Sequence, residues 1–235
     1  MKQRVFVTGA TGGMGFASLK EMLKYSEKQD IVIFARDSEK NRNILKSYTE
    51  TPGFEIVWGD LNNYDDVLKC VKGCDLILHI AAFVSPAADY YPKQAMKVNY
   101  GSTRNIINAI YELGQQERTH LVYIGTVAET GDRMPPVHWG RVGDPIKPSM
   151  FDYYAVSKVA AERLVIESSL KYWVSLRQTG IIGRAMAEIE DAIMFHNCSD
   201  NVLEYCSDRD SARAMKNHCA FFHDGTLEES FWGHI

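Results

Sequence analysis

The sequence predicts an α/β protein with a doubly wound parallel sheet. A short apolar strand near the N-terminus runs into a glycine-rich turn and then a helix, and strands and helices keep alternating over the first two thirds of the 235 residues. The predicted strands are unbroken apolar runs, a pattern typical of strands that are buried on both faces. Parallel strands joined by right-handed helical crossovers account for all three observations.

Six strands and five helices are expected in this alternating part. The strands lie at about 5–8, 31–35, 54–58, 75–80, 119–125 and 173–177, and the helices at about 16–25, 38–48, 64–72, 92–113 and 152–170. A loop rich in Gly and Pro occupies 131–150. After residue 184 the rhythm changes to a helix at 185–198, a short strand at 201–206 and a helix at 210–222.

The N-terminal turn has the glycine spacing of a dinucleotide site. Gly9, Gly12 and Gly15 follow one another at intervals of three between the first strand and the first helix. Gly9 permits the tight turn, Gly12 lets the backbone approach a pyrophosphate, and Gly15 lets the helix pack closely on the strand. The amides of the first helical turn then face the phosphates. The predicted cofactor-binding residues of this turn are Gly9, Thr11, Gly12, Gly13, Met14 and Gly15.

Composition excludes several classes of function. Hydrophobic residues make up 46% of the chain and charged residues 24%, as in ordinary globular proteins. The net charge of −4 predicts neither a nucleic-acid partner nor an anionic membrane partner. No apolar run approaches the ~20 residues of a membrane span, and Lys2 and Arg4 leave no room for the apolar core of a signal peptide. We therefore expect a cytoplasmic protein.

The five cysteines predict neither disulfides nor a metal site. Their number is odd, and three of them lie near His196, His218 and His223 without the compact spacing of zinc ligands. Cys70 and Cys74 are four residues apart on a predicted helix, so we expect them to share one packed face. The cysteines are Cys70, Cys74, Cys198, Cys206 and Cys219.

A second motif, Tyr154-Ala-Val-Ser-Lys158, places a phenol and an ammonium group on one face of a helix. That cation, together with the positive ring of an oxidised nicotinamide, lowers the pKa of a tyrosine from its usual value of about 10. A phenol tuned in this way exchanges a proton with a substrate hydroxyl near neutral pH. Thr126 ends the fifth strand, where open α/β sheets bind their ligands, and is expected to hydrogen-bond the substrate oxygen.

These motifs resemble the short-chain dehydrogenase/reductase superfamily, specifically its extended branch of NAD-dependent epimerases, dehydratases and related reductases. The resemblance implies a Rossmann domain over 1–184 and a partial, truncated substrate-binding region over 185–235. It also implies a homodimer and a small-molecule substrate, with a nucleotide sugar as one candidate. It covers residues 2 to about 184 and rests on the glycine turn, Gly59-Asp-Leu61, His79-Ile-Ala-Ala82, Val98-Asn-Tyr100 before Gly101, Val122-Tyr-Ile-Gly-Thr126, Tyr154-Ala-Val-Ser-Lys158 and Leu176-Arg177.

The resemblance implies three catalytic residues. Tyr154 is the acid/base, Lys158 holds the nicotinamide ribose and lowers the pKa of Tyr154, and Thr126 stands at the position of the catalytic Ser or Thr. We interpret His79 as a core residue at the end of a strand and not as a ligand.

Five further cofactor contacts follow from the same resemblance. Asp60 accepts a hydrogen bond from the adenine amino group, and Leu61 packs on that ring. Ala81 and Ala82 allow the cofactor to approach closely, and Asn99 stabilises the strand end beside the site.

Two positions depart from the family pattern. Gly125 stands before Thr126 where the family often has another Ser, and Arg177 is not followed by the usual Pro. Both departures lie on the substrate side of the predicted site.

The end of the second strand favours NADP over NAD. Arg36 comes first, and its charge and bidentate geometry suit a ribose 2′-phosphate. An acid at that position would instead accept a hydrogen bond from the 2′-hydroxyl of NAD. Because a shift by one residue would bring Asp37 to this place, NAD is the alternative cofactor.

Two functions are consistent with these residues. The first is an enzyme that moves a hydride between nicotinamide C4 and a hydroxyl or carbonyl carbon, either as a carbonyl reductase or within a nucleotide-sugar epimerase or dehydratase cycle. The alternative is a non-catalytic NAD(P)-binding regulator or scaffold. Retention of Tyr154 and Lys158 favours the enzyme, because such regulators typically lose this pair.

Overall fold

Six parallel strands form the central sheet, in the order β3-β2-β1-β4-β5-β6. The chain order reverses beside β1, which is the switch point where sheets of this kind bind ligands at the carboxyl ends of their strands. The computed structural model describes residues 2–131, 143–183 and 204–221. The strands are β1 (Gln3–Thr8), β2 (Gln29–Ala35), β3 (Phe54–Trp58), β4 (Leu76–His79), β5 (His120–Thr126) and β6 (Tyr172–Gln178).

Helices connect the strands and cover both faces of the sheet. The helices are α1 (Gly13–Leu23), α2 (Glu39–Leu45), α3 (Tyr64–Val71), α4 (Ala87–Tyr90), α5 (Pro92–Ala95), α6 (Gly101–Glu112), α7 (Tyr153–Ile166) and α8 (Asp208–Phe221). Short 3₁₀ turns follow α2 at Lys46–Tyr48 and β5 at Val127–Thr130, and a π-helical turn at Met96–Tyr100 joins α5 to α6.

The core lies in two layers, one on each face of the sheet. In β1, Val5 and Val7 point into one layer and Phe6 into the other, and all three side chains are fully buried. Burying an aliphatic or aromatic side chain of this size stabilises a fold by about 1.5–3 kcal/mol. The unbroken apolar strands therefore stabilise both faces at once, and the predicted doubly wound sheet is confirmed.

Two predicted helices differ from those in the structure. The helix expected at 92–113 is interrupted by the π-helical turn, which contains Asn99. The helix expected at 152–170 ends at Ile166, because Ser168 donates its hydroxyl to the Val165 carbonyl at 2.6 Å and so competes with the helical hydrogen bonds.

A second, two-stranded sheet was not predicted as such. β7 (Gly180–Ile182) pairs in parallel with β8 (Tyr205–Ser207), which overlaps the strand expected at 201–206. α8 packs on α1, and the Ser18 hydroxyl there contacts the Met215 sulfur at 3.6 Å. The expected helix at 185–198, most of the loop at 131–150, and His196, Cys198 and His223 lie outside the described residues.

The described part of the chain contains no helix that is both long enough and apolar enough to span a bilayer. Cys70 and Cys74 are both buried, but the expectation that one helix carries both is wrong, because α3 ends at Val71 and Cys74 follows it. Burial raises the pKa of the Cys70 thiol to about 11 and that of Cys74 to about 12.

Candidate active site

A cavity of about 550 Å³ opens at the carboxyl ends of the central strands. It runs along the α1 turn, past the ends of β2 and β4, to the end of β5. All but one of the residues predicted from the sequence line it: Gly9, Thr11, Gly12, Gly13, Met14, Gly15, Arg36, Asp60, Leu61, Ala81, Ala82, Thr126, Tyr154 and Lys158. The remaining one is Asn99.

Backbone contacts determine the shape of the glycine turn. Gly9 has a φ of +76°, and a Cβ at this position would come within 2.6 Å of the Ala81 nitrogen. A Cβ on Gly15 would overlap the carbonyl oxygen of Gly9. A Cβ on Gly12 would meet that oxygen only at 3.4 Å, so the protein itself leaves room there.

The N-terminus of α1 is prepared for an anion. Gly12 is its N-cap, no side chain caps the first turn, and that turn contains no acidic residue. Because the first amides of a helix have no partner within the helix, they can donate to a phosphate that lies in the cavity.

The end of β2 presents Arg36 and Asn41 to the cavity, and Asn41 donates to the Arg36 carbonyl at 2.8 Å. The neighbouring Asp37 is paired with Arg42 through two hydrogen bonds of 2.5 and 2.6 Å. The Arg42 guanidinium also lies 4.9 Å from the centre of the Trp58 ring. The hydrogen bond from Arg42 lowers the pKa of the Asp37 carboxyl. The Asp37 carboxylate is therefore paired with Arg42.

Asn99 lies behind the cavity wall and not among its lining residues. Its side chain accepts from the Phe83 amide at 2.7 Å and donates to the Phe83 carbonyl at 3.0 Å and to the Ser157 hydroxyl at 2.8 Å. The π-helical turn brings it to these partners. Asn99 therefore fixes the segment after β4, which carries Ala81 and Ala82, and contacts a cofactor only through that segment.

His79 is buried within a network of hydroxyl groups. Its Nδ1 lies 2.9 Å from the Thr8 hydroxyl and its Nε2 3.1 Å from the Thr103 hydroxyl. The Thr8 oxygen also accepts from the Ala81 amide at 3.2 Å. Burial, with a smaller effect of Lys158, lowers the pKa of His79 to about 3, so the ring is neutral. The interpretation of His79 as a core residue is confirmed.

A second cavity, of about 620 Å³, adjoins the first and shares Tyr154 and Thr126 with it. Tyr154 follows Asp152, which caps α7 by accepting from the Ala155 amide at 2.8 Å. Thr126 ends β5 and caps the 3₁₀ turn that follows. Thr126 and Tyr154 line both cavities, so the two predicted catalytic groups lie where the cavities join.

Lys158 lies one helical turn beyond Tyr154 and is buried. Its Nζ donates to the Ile124 carbonyl at 2.6 Å and lies 4.1 Å from the centre of the Tyr123 ring. Burial lowers the pKa of Lys158 to about 7.

The pKa of Tyr154 differs from the expectation. Burial raises it to about 12, although the hydrogen bond from Thr126 acts in the opposite direction. Lys158 contributes no resolved lowering, because its ammonium faces Ile124 and Tyr123. The sequence predicts that two positive charges, the Lys158 ammonium and an oxidised nicotinamide ring, lower the pKa of Tyr154. Because Lys158 does not do so in the structure, only the nicotinamide ring could supply such a charge.

Sequence reasoning missed several lining residues. Asn41 and Asn62 line the cavity and lie close in the chain to the predicted contacts Arg36 and Leu61. This closeness in sequence could have indicated them. Thr179 directly follows β6, whose end lies beside that of β5, whereas Asp208 had no such signal, since the start of α8 reaches the cavity only through the second sheet.

The chain is similar in sequence to several known proteins. Residues 6–210 match the model of the 3-beta hydroxysteroid dehydrogenase/isomerase family. The 3 beta-hydroxysteroid dehydrogenase/Delta 5→4-isomerase of vaccinia virus (strain Ankara) is 29% identical over 193 residues, which are 75% of this chain and 52% of that protein. The UDP-glucose 4-epimerase of Rickettsia bellii (strain RML369-C) is 31% identical over 109 residues, 45% of this chain and 32% of the epimerase. The chain thus spans about half the length of the viral relative.

Solved structures agree in fold. The dTDP-glucose 4,6-dehydratase of Streptomyces venezuelae, solved with NAD, is 18% identical with a TM-score of 0.78, over 93% of this chain and 72% of that one. The dTDP-glucose 4,6-dehydratase of Bacillus anthracis, in complex with NAD, is 19% identical with a TM-score of 0.74, over 96% of this chain and 73% of that one. The extended short-chain dehydrogenase/reductase resemblance seen in the motifs is confirmed, and the chain belongs to the 3-beta hydroxysteroid dehydrogenase/isomerase family.

Proposed function

We propose that this chain forms the cofactor-binding and proton-transfer part of an NADP-dependent oxidoreductase that interconverts an apolar alcohol and its ketone. One observation carries the proposal. Tyr154 and Thr126 line both cavities, one with the form of a dinucleotide site and one adjoining it. A group at this junction contacts cofactor and substrate together.

The described residues fit a nicotinamide dinucleotide. The glycine turn provides a helix start without a side-chain cap, and the protein leaves open space at Gly12, where the backbone can approach its ligand. When bound, the nicotinamide supplies or accepts the hydride. Tyr154 and Lys158 line the end of the cavity that lies near β5.

The side chains of this site favour reduction near neutral pH. With a pKa of about 12, Tyr154 is a neutral phenol at pH 7 and is ready to donate a proton to a carbonyl oxygen. Thr126 lies at the same junction and offers a second hydroxyl to the same oxygen. Lys158, with a pKa of about 7, can change its charge near neutral pH beside this pair.

The second cavity suits an uncharged, apolar substrate. No Lys or Arg occurs among its described lining residues, so the described part of this cavity offers no ammonium or guanidinium group to the phosphates of a nucleotide sugar. Val84, Val127, Ala128 and Ile181 supply apolar surface.

The end of β2 supports NADP as the cofactor. Arg36 faces the cavity, and its fork of N–H donors matches a 2′-phosphate. Asp37, the acid that would bind the 2′-hydroxyl of NAD, is held by Arg42.

Nicotinamide absorbance tests this function. The protein is mixed with NADPH and a panel of cyclic ketones, and Tyr154→Phe is the matched variant. We expect the wild-type protein to consume NADPH in step with alcohol formation. We expect Tyr154→Phe to bind NADPH unchanged while its rate falls about 1,000-fold, within the range for loss of a general acid.

Other outcomes would replace this proposal. Conversion of a UDP-sugar to its epimer without net NADPH consumption would favour the epimerase-type function. Tight NADPH binding without turnover of any compound, together with no functional change in Tyr154→Phe, would favour the non-catalytic regulator. Equal rates in wild type and Tyr154→Phe would exclude Tyr154 as the proton donor.

A further inference from the structure

A buried ionic cluster lies directly behind Thr126. It consists of Glu129, Glu162 and Arg177, and both carboxylates are almost fully buried, with exposures of 0% and 2%. The Arg177 Nε donates to the two Glu162 oxygens at 3.2 and 3.1 Å and lies 3.6 Å from Glu129 Oε2. Burial of two carboxylates beside one guanidinium carries a desolvation cost, which stability alone does not explain.

Among the described residues, the Glu129 carboxylate accepts one hydrogen bond, which comes from Thr126. Its Oε1 accepts from the Thr126 amide at 3.0 Å, while the Thr126 hydroxyl accepts from the Ala128 amide at 3.3 Å. This reciprocal arrangement is a capping box around the 3₁₀ turn. The other oxygen, Oε2, is buried and has no hydrogen-bond donor within the described ranges. The carboxylate is therefore oriented chiefly by the end of β5.

Gly125 provides the space that Glu129 occupies. A Cβ on Gly125 would lie 2.9 Å from the Ser175 hydroxyl, 3.0 Å from the Arg177 Cγ and 3.2 Å from Glu129 Oε1. A serine here, as the family often has, would crowd this carboxylate. The absence of a side chain at Gly125 thus provides the space in which the Glu129 carboxylate is buried.

We propose that Glu129 is a positioning residue, which holds the Thr126 amide so that the Thr126 hydroxyl meets the Tyr154 phenol, and that Gly125 admits it. The catalytic consequence rests on the proposed function, because it requires Tyr154 to be the proton donor. The geometric consequence at Thr126 does not.

Glu162 provides a matched control within the same cluster. It belongs to α7, pairs with Arg177 of β6, and makes no described contact with Thr126. Truncation of either glutamate removes one carboxylate from Arg177. Only truncation of Glu129 removes the acceptor of the Thr126 amide.

The experiment compares Glu129→Ala, Glu129→Gln and Glu162→Ala in the whole chain. Hydrogen exchange of the Thr126 amide is followed by NMR, and NADPH affinity and single-turnover rate are measured on the same samples. In Glu129→Ala we expect the Thr126 amide to exchange about 10-fold faster, as for one lost hydrogen bond to a charged group. We also expect a rate at least about 10-fold lower, with NADPH affinity within about 2-fold of wild type.

The other two variants distinguish positioning from general stability. Glu129→Gln keeps an acceptor and the side-chain volume, and we expect it to restore both the slow exchange and most of the rate. Glu162→Ala is expected to lower Tm while the Thr126 exchange and the rate stay as in wild type. If Glu129→Ala does not fold, Gly125→Ser takes its place, since it displaces the same carboxylate.

Each result either supports or overturns the positioning role of Glu129. Unchanged exchange at Thr126 in Glu129→Ala, or an equal loss of rate in Glu129→Ala and Glu162→Ala, would overturn the inference. If the wild-type protein turns over no substrate, faster Thr126 exchange in Glu129→Ala with recovery in Glu129→Gln still supports the positioning role. In that case it is the proposed function that fails.

Discussion

The proposed cofactor cradle at the α1 turn and the proposed proton-transfer side at the end of β5 are built from different groups. The cradle consists of backbone and small side chains, and its shape follows from contacts such as that between Gly9 and Ala81. The proton-transfer side consists of buried ionisable side chains, among them Tyr154 and Lys158, whose pKa values are raised and lowered by burial. A backbone site is sensitive to added volume, whereas a buried ionic site is sensitive to charge and pH.

The largest expected effect comes from substitutions in the cradle, where Gly15→Ala and Gly12→Ala are expected to differ in stability. Gly15→Ala adds a Cβ that overlaps the Gly9 carbonyl oxygen, so we expect it to destabilise the fold by about 2 kcal/mol or more and to abolish cofactor binding. Gly12→Ala meets only the 3.4 Å contact, so its stability should match that of the wild-type protein. Its NADPH affinity should still fall about 100-fold, because the methyl group enters the space of the pyrophosphate.

Urea unfolding and NADPH titration of the two variants check this prediction. Wild-type NADPH affinity in Gly12→Ala would show that the pyrophosphate does not lie against this turn.

The next effect lies on the proton-transfer side and depends on pH. Burial lowers the pKa of Lys158 from 10.5 to about 7, so between these values the unfolded chain binds more protons than the folded protein. Wild-type stability therefore rises with pH across this window, and the cost of burying the lysine is complete only below pH 7. We expect the stability of Lys158→Met relative to wild type to be greatest at pH 6.5 and to decrease by about 2 kcal/mol by pH 9.5.

Urea unfolding at the two pH values measures this difference. Lys93→Met, which removes an exposed lysine, is the matched control, and we expect its stability to follow that of wild type at both values. A difference between Lys158→Met and wild type that stays constant with pH would contradict the buried-lysine account.

The smallest expected effect concerns the end of β2. Arg36→Ala should weaken NADPH binding about 10-fold and leave NADH binding unchanged, because only NADPH carries the 2′-phosphate. Arg42→Ala should improve NADH binding a few-fold, since it releases the Asp37 carboxylate from its two hydrogen bonds. Fluorescence titration with both cofactors checks the pair, and equal losses for NADPH and NADH in Arg36→Ala would exclude the 2′-phosphate contact.

The two regions also differ in how far the sequence predicts them. The cradle could be read from glycine spacing, because a residue without Cβ at Gly9 or Gly15 is required by the backbone geometry itself. The positions of the six strands along the chain follow equally well from the apolar runs. Near Tyr154 the sequence predicts which residues meet, but not their pKa values, because these depend on burial and on where the Lys158 ammonium points.

Other features had no local signal. The partners of Asn99 depend on a π-helical turn, which periodicity does not reveal. Asp208 reaches the cavity through a two-stranded sheet between distant segments. Glu129 stands three residues after Thr126, the spacing of a capping box, but only the packing of Gly125 and Arg177 shows that it is buried.

Transfer of deuterium from NADPH labelled at C4 tests the central claim most directly, with the wild-type protein and Tyr154→Phe assayed beside each other on a cyclic ketone. We predict that the wild-type protein gives an alcohol with deuterium on the carbon that bears the hydroxyl. Tyr154→Phe should bind NADPH with wild-type affinity and transfer deuterium about 1,000-fold more slowly. An unlabelled wild-type product, or deuterium transfer by Tyr154→Phe at the wild-type rate, would contradict the assignment of Tyr154 as the proton donor beside a nicotinamide.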